Sequence, residues 1–425
     1  MNEETFIRLS CLGWPALVLL VVLYWRKLDA RLAGAALLAT FWNLSALLVL
    51  NVIAQACGWW RFHAEGGLFL GMPAELYFGW ALLWGALPVL MFLDRPVWQA
   101  ILAMLTVDLL LMPACADVVQ LGNRWLIGEG VGLVLALVPA LYLARWSLRR
   151  ERLKMRVSLL VIAYALLLAV LIPSLLLEAS HDSWERILTR PAIATGIVLQ
   201  SFFLIAVPAL SAVQEFCLRG AGTPLPFDPP RRLVTSGPFA YIANPMQTGT
   251  VWLCTGLAFW IANPWIAAVT FASVSSLVAI ACWQEETTMA KRYGNAWTIY
   301  RSEVRAWWPR WKPRVHVPCK IYIAETCGAC RGLAKWLESK HPRGLLIVAA
   351  ETHPTRRLRR ITYEAPGWTE DGVGALARAF EHIHFGWAWL GWTLRLPMIS
   401  HLAQWLTDLS GGGSREVGLE IAKRD

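Results

Sequence analysis

The chain has 425 residues, 57% of them hydrophobic and only 16% charged, with a mean hydropathy of +0.47. Soluble domains run at roughly 45–50% apolar and about 25% charged, so this composition excludes an ordinary soluble protein. The net charge of +10 does not point to nucleic acid, because the basic residues fall in short loops between apolar runs rather than in one stripe.

A membrane-crossing helix needs about 20 apolar residues, and about nine such runs follow one another, near 9–25, 33–58, 68–93, 97–119, 126–146, 157–178, 192–214, 241–262 and 265–284. The start, "MNEETFIR", is acidic where a signal peptide would be basic, so the first run reads as a retained span. Arg26, Lys27 and Arg31 follow the first span, Arg145 to Arg156 follow the fifth, and Arg219, Arg231 and Arg232 follow the seventh. With the N-terminus outside, all three basic loops and the chain beyond residue 285 face the cytoplasm, as the excess of cytoplasmic Lys and Arg requires. Many of the 25 Trp residues sit at span ends, where an amphipathic indole suits the headgroup layer. The expected fold is an all-α polytopic membrane protein, N-out and C-in in the cell membrane, followed by a small cytoplasmic α/β thioredoxin-like domain.

The first six spans, residues 1–190, carry acids within or beside apolar runs. Glu75, Asp108, Asp117 and Glu129 are candidates there because a charge in the bilayer is costly. Glu75 and Asp108 are the candidate substrate residues. The stretch "GWWRFHAEGGLFLGMPAELYFGW" resembles the Pro-x-Glu-Glu segment of carotenoid-pathway lycopene cyclases, with Leu76 in place of the second Glu. That resemblance implies an isoprenoid-like substrate; a Pro-kinked span with one paired acid accounts for the stretch equally well.

Residues 191–304 hold the most specific chemistry. "SGPFAYIANPMQTGT" fixes a turn at Gly237-Pro238, places Asn244 as a candidate N-cap with Pro245 in the first helical turn, and removes a side chain at Gly249. The next two spans are joined only by "ANPW", so a tight hairpin returns the adjacent carboxylates Glu285 and Glu286 to the same cytoplasmic rim as Asn244. Such a pocket suits a cationic, nucleoside-bearing cofactor, since carboxylates accept from ribose hydroxyls and aromatic faces attract a sulfonium. Capping by Asn244 and solvated glutamates are the plainer alternative.

On these residues the region resembles the isoprenylcysteine carboxyl methyltransferase and phospholipid N-methyltransferase superfamily. The pieces are "GPFAYIANPMQTG", the Glu285-Glu286 pair, and "RYGNAWTIYRSEVRAWWP". The resemblance implies S-adenosyl-L-methionine held by Gly237, Pro238, Tyr241, Asn244, Pro245, Gly249, Glu285, Glu286, Tyr293 and Tyr300, with Glu286 a candidate proton acceptor. Ala240 and Ala243 stand where the family has arginines, Gln247 where an aromatic is common, and Trp297 where it has Tyr. Asn244 replaces the His of the carboxyl methyltransferases, which is closer to the phospholipid-amine branch.

A basic, Trp-rich connector follows at 305–318, suited to the inner headgroups. Residues 319–409 then read as a soluble domain. "KIYIAE" is a strand, "CGACRGLAKWLESK" a turn into a helix, "GLLIVAAE" a second strand and "DGVGALARAFEHI" another helix. Cys327-x-x-Cys330 at a helix start reads as a redox pair, because the helix dipole favours a thiolate there. A zinc half-site lacks a second Cys pair, so no metal is expected; a pair that merely packs is the other alternative. The segment resembles the DCC family of thiol–disulfide oxidoreductases, with Ala324 at the family's Asp. Residues 410–425 read as a flexible tail.

The leading expectation is a membrane methyltransferase acting on a lipid or isoprenoid acceptor, with a redox domain and its thiol partner. Two others stay open: a membrane thiol–disulfide oxidoreductase with a degenerate transferase scaffold, and a lipid transporter or binding module. Nothing in the sequence sets the oligomeric state.

Overall fold

A computed structural model describes residues 3–64, 66–181, 184–185, 189–225, 228–284 and 288–414. The chain divides into two compact units, 1–189 with 223–229, and 190–222 with 230–425.

The first unit contains six helices long and apolar enough to cross a membrane: α1 (Glu3–Trp25), α2 (Ala30–Cys57), α3 (Ala74–Met91), α4 (Val97–Ala114), α5 (Trp125–Arg149) and α6 (Leu153–Glu178). Asp29 caps α2, its carboxylate accepting from Leu32 N–H at 2.7 Å, and Gly58 closes the helix in the left-handed conformation. The core gathers on α2 and α3, where Trp42, Leu48, Leu76, Trp84 and Leu90 are buried.

Proline shapes three of these spans in the same way. A π-turn occupies Leu82–Ala86 in α3, Leu133–Leu137 in α5 and Leu167–Leu171 in α6. Each lies just ahead of a proline, Pro88, Pro139 and Pro173. Proline has no amide hydrogen, so the carbonyl four residues earlier loses its helical donor. For Pro88 that carbonyl is Trp84 O, and Asn43 Nδ2 of α2 donates to it at 3.0 Å. For Pro139 it is Leu135 O, and Trp42 Nε1 donates to it at 2.9 Å. Two adjacent residues of α2 thus satisfy the two carbonyls that the prolines orphan.

The loops between spans pair as short strands, which sequence periodicity does not reveal at two or three residues each. β1 (Trp60–Phe62) pairs antiparallel with a later strand, and β2 (Leu68–Phe69) runs antiparallel to β3 (Met72–Pro73). The partner β4 (Val119–Leu121) sets Trp60 opposite Leu121. Cys11 and Cys115 bring their sulfurs to 3.7 Å.

The second unit begins with α7 (Ala192–Gly220), the seventh helix long and apolar enough to span. The eighth and ninth expected spans appear as α8 (Pro245–Ile261), at 17 residues, and α9 (Pro264–Gln284), at 21. Their turn is Ala262-Asn263, and Asn263 Oδ1 accepts from Trp265 N–H at 2.9 Å to cap α9. Gly249 lets α8 pack tightly on α7, since a Cβ there would lie 2.7 Å from Ala209 Cβ of α7. After α9, α10 (Asn295–Glu303) leads into the connector.

The C-terminal part holds a four-stranded sheet in the order β6-β5-β7-β8. β5 (Cys319–Ile323) runs parallel to β6 (Leu345–Ala349) and antiparallel to β7 (Thr362–Ala365), which forms a hairpin with β8 (Trp368–Asp371). The hairpin was not anticipated, although Pro366-Gly367 between its strands is a turn signal; Gly367 takes φ +82° there. α11 (Gly328–Ser339) crosses from β5 to β6, and α12 (Val373–Phe380) follows β8. The aromatic stretch after it forms two helices, α13 (Phe385–Arg395) and α14 (Pro397–Thr407), broken at Pro397 because the residue before a proline avoids helical geometry.

Candidate functional site

The loop before α8 is built from the residues the sequence singles out. Gly237–Ala240 makes one 3₁₀ turn. Gly237 has φ +61°, and a Cβ there would meet Glu215 Cγ at 2.8 Å, so only glycine fits by both conformation and space. Asn244 stands at the N-cap of α8 with Pro245 next, as expected, but its side chain makes no capping hydrogen bond to the helix. At φ −117° and ψ +56° it lacks the usual capping backbone geometry.

Three tyrosines stitch this loop to what surrounds it. Tyr241, fully buried, donates its hydroxyl to Glu381 O at 2.8 Å and packs edge-on against Phe385 and Trp392. Tyr300, also buried, donates to Phe239 O at 2.8 Å, and Tyr293 donates to Pro230 O at 2.7 Å. The structure therefore brings Gly237, Pro238, Tyr241, Asn244, Tyr293 and Tyr300 to one loop, with each hydroxyl engaged by a backbone carbonyl. Gly249 lies one turn into α8, against α7. Glu285 and Glu286 lie outside the described residues.

The connector is pinned to the same loop, which composition did not foretell. Ala243 N–H and Asn244 N–H donate to Arg305 O and Ala306 O, and Arg310 N–H and Arg314 N–H donate to Tyr241 O and Ala240 O. Trp308 and Trp311 remain largely exposed, and Trp311 stacks on His384 at 4.5 Å.

Both α7 and α8 carry buried polar atoms without a partner, although Gln214 of α7 turns its amide nitrogen to Arg395 O at 2.9 Å. Gln247 Oε1 and Thr248 Oγ1, in the first turn of α8, and Ser211 Oγ and Gln214 Oε1, on α7, are buried and unpaired among the described residues. A helix start also leaves backbone N–H groups without helical acceptors. These atoms fit a polar ligand bearing hydroxyls and an amino group, the chemistry of a nucleoside cofactor. Gln247 occupies an aromatic's place in the family pattern, so sequence comparison treated it as a departure.

Behind the loop lies a buried ionic cluster. Glu215 Oε1 accepts from Arg378 Nη2 and Arg395 Nη2, each at 2.7 Å, and Glu215 Oε2 accepts from Ser236 Oγ at 2.6 Å. Arg378 and Arg395 also bind Glu370 and Glu381. Arg219 binds Glu370 at 2.7 Å and lies 3.4 Å from the centre of the Trp368 ring. Burial opposes the Glu370 charge, but Arg378 and Arg395 outweigh it and hold the carboxyl below its ordinary range. The cluster was invisible to sequence reasoning, because Glu215 and Arg378 are 163 positions apart.

In the C-terminal domain Cys327 is the N-cap of α11, its sulfur accepting from Cys330 N–H at 3.4 Å. Burial, together with the neighbouring Cys327 sulfur, pushes the Cys330 thiol up to about 11. The two thiols thus differ in position, Cys327 capping the helix and Cys330 lying inside its first turn. A residue not singled out from sequence holds the turn: buried Glu351 accepts from Glu325 N–H and Thr326 N–H, both at 3.0 Å, and from Thr326 Oγ1 at 2.9 Å. Those bonds outweigh its burial and keep its carboxyl below the ordinary value.

Of the two candidate substrate acids in the first unit, Glu75 is ion-paired with Arg8 at 3.1 Å. Asp108 is buried and accepts from Trp80 Nε1 at 2.5 Å.

Compared with known proteins, residues 193–296 match the sequence model of the phospholipid methyltransferase family. No curated protein and no solved structure gives a significant match. The matched segment runs from the second residue of α7 to the start of α10 and includes every described residue of the loop at 237–249. Together with the apolar helices, that match supports a multi-pass membrane methyltransferase acting on lipid.

Proposed function

We propose that this protein is an S-adenosyl-L-methionine-dependent methyltransferase with a lipid or isoprenoid acceptor, its cofactor site lying where the 237–249 loop meets α7 and α8. The observation that carries the reading is the phospholipid methyltransferase match over residues 193–296, within which Gln247 Oε1, Thr248 Oγ1, Ser211 Oγ and Gln214 Oε1 are each buried without a partner. Gly237, Pro238, Asn244, Pro245 and Gly249 would shape the cradle, Tyr241, Tyr293 and Tyr300 would hold it in place, and Glu285 and Glu286 would accept from the cofactor's hydroxyls or amino group.

Bound S-adenosylmethionine supplies a methyl group on a sulfonium, already a good leaving group. The chain's task is then to align the acceptor and exclude water. Glu286 is the candidate to take a proton from an amine acceptor. Isothermal titration with S-adenosylhomocysteine tests the reading. Binding weakened at least tenfold by Glu285→Ala or Gln247→Leu supports it; no binding by the folded wild-type protein ends it.

The C-terminal domain is proposed to be thioredoxin-like and redox-active, on the strength of its strand order and the Cys327/Cys330 pair at a helix start. Cys327 would be the attacking thiol and Cys330 the resolving one, facing the cytoplasm if the N-terminus is outside.

A further inference from the structure

The first unit holds a cavity that none of the preceding chemistry uses. It is a partly open recess of ≈ 470 Å³, with ≈ 40 Å³ of interior space for water. At roughly 10–15 Å³ per water on that measure, it has room for about three waters or one aminoalkyl group. Its walls are apolar and aromatic, among them Leu50, Trp60, Leu76 and Met112, with the side chains of Asn51, Trp80, Trp84, Asp108 and Glu129 converging on it.

Two carboxyls face this space, and they lie close enough to interact electrostatically. Glu129, only 4% exposed, leaves Oε1 without a hydrogen-bond partner. Asn51 is 1% exposed; its Nδ2 is taken by Leu70 O and Tyr77 Oη, but its Oδ1 has no partner. No Lys or Arg side chain lines the cavity among the described residues. Buried acids normally carry a cation or a full set of donors, because an unpaired polar atom in a low-dielectric setting loses its hydration without compensation. Here unused acceptors from two helices, Asn51 Oδ1 of α2 and Glu129 Oε1 of α5, meet beside Asp108, and the only donors the chain brings to the cavity among the described residues are neutral: Trp80 Nε1, already given to Asp108, the unpaired Trp84 Nε1, and the amide of Asn51.

We infer that this cavity is a binding site for a primary ammonium head on an apolar tail, the ammonium donating to Glu129, Asp108 and Asn51 Oδ1 between the indole faces of Trp60, Trp80 and Trp84. An ammonium brings three N–H donors to three acceptor side chains and balances the acidic charge. Indole faces attract a desolvated cation through the negative face of the ring quadrupole. The apolar walls receive the adjoining methylenes. Water alone would satisfy the acceptors but leaves the charge uncompensated. The site lies at residues 47–132, outside the methyltransferase-matched segment, and stands or falls independently of the methyl-transfer reading.

Native mass spectrometry of the full-length protein from detergent micelles tests it, with dodecylamine as the probe and dodecanol as the uncharged control of equal chain length. The expected result is one saturable dodecylamine adduct, no dodecanol adduct at the same concentration, and at least a tenfold weaker dodecylamine adduct for Glu129→Gln. Asp108→Asn serves as the second variant if Glu129→Gln does not elute as a monodisperse species. Equal retention of dodecanol, no saturable dodecylamine adduct, or a folded variant that retains dodecylamine within twofold of the wild type overturns the proposal.

Discussion

Arg378 reaches Glu215 at 2.7 Å with both side chains essentially out of solvent, joining helix α12 to the end of span α7. Glu215 in turn fills the space that a side chain at Gly237 would need, so the charge pair and the turn before α8 share one packing problem. Removing one member of a buried pair leaves the other without compensation, a loss of about 3–5 kcal/mol. Arg378→Ala is therefore expected to lower the melting temperature sharply. Arg219→Ala, at a more exposed edge of the cluster, should cost much less. Thermal melts of the two purified variants check the order.

His382 makes the second unit acid-sensitive. Burial lowers its pKa to about 4, with its ring nitrogens bonded to Tyr363 Oη and Arg343 O. Its unfolded value is near 6.5, so between these limits the unfolded chain binds more protons, and stability falls as pH drops from 6.5 towards 4. The full change is about 3 kcal/mol. Melting followed from pH 7.5 to pH 4.5 should decline more steeply for the wild type than for His382→Gln.

The cysteine pair should alkylate unequally. With its thiol near 11, Cys330 holds little thiolate at pH 7.5, whereas Cys327 caps a helix whose dipole favours the anion. Iodoacetamide mapping of the reduced protein is expected to label Cys327 first. Glu351→Gln removes a negative charge that raises the Cys330 pKa, so it should narrow the difference. Faster labelling of Cys330 in the wild type would reverse the assignment of attacking and resolving thiols.

Close packing of α7 on α8 leaves no room at position 249. Gly249→Val pushes a side chain into Ala209, at a cost of about 1–3 kcal/mol. Gly294, where a Cβ would meet nothing but φ is +54° and ψ −134°, offers a contrast: Gly294→Asn should be destabilising through backbone strain alone, at about 1–3 kcal/mol, because that conformation lies outside the left-handed well that Asn tolerates. A urea or thermal comparison separates crowding from backbone strain.

The carbonyl rescue in α3 gives a prediction for the first unit. Asn43→Leu keeps the volume but leaves Trp84 O without its external donor, at a cost of about 1 kcal/mol or more. Adding Pro88→Ala restores the helical donor and should recover part of that loss. A double-mutant cycle of melting temperatures measures the coupling.

The first seven apolar runs, which the described residues show as helices long and apolar enough to span, the turn at Gly237-Pro238, Pro245 opening a helix and the Cys-x-x-Cys at another were legible in the sequence. Each rests on interactions within a few residues: hydropathy over one span, a fixed φ, a cap. The strand–helix–strand order after residue 319 was legible for the same reason, while the β7–β8 hairpin escaped because its strands are four residues long. What tertiary structure alone decided is where long-range partners meet. Glu215 with Arg378 and Arg395, Asn43 with the carbonyl freed by Pro88, Glu351 beneath the cysteine turn, and the unpaired atoms of Asn51 and Glu129 around one cavity are all contacts between distant positions. Buried polar groups must be satisfied by whatever the fold brings near them, and no local pattern in the chain encodes that choice.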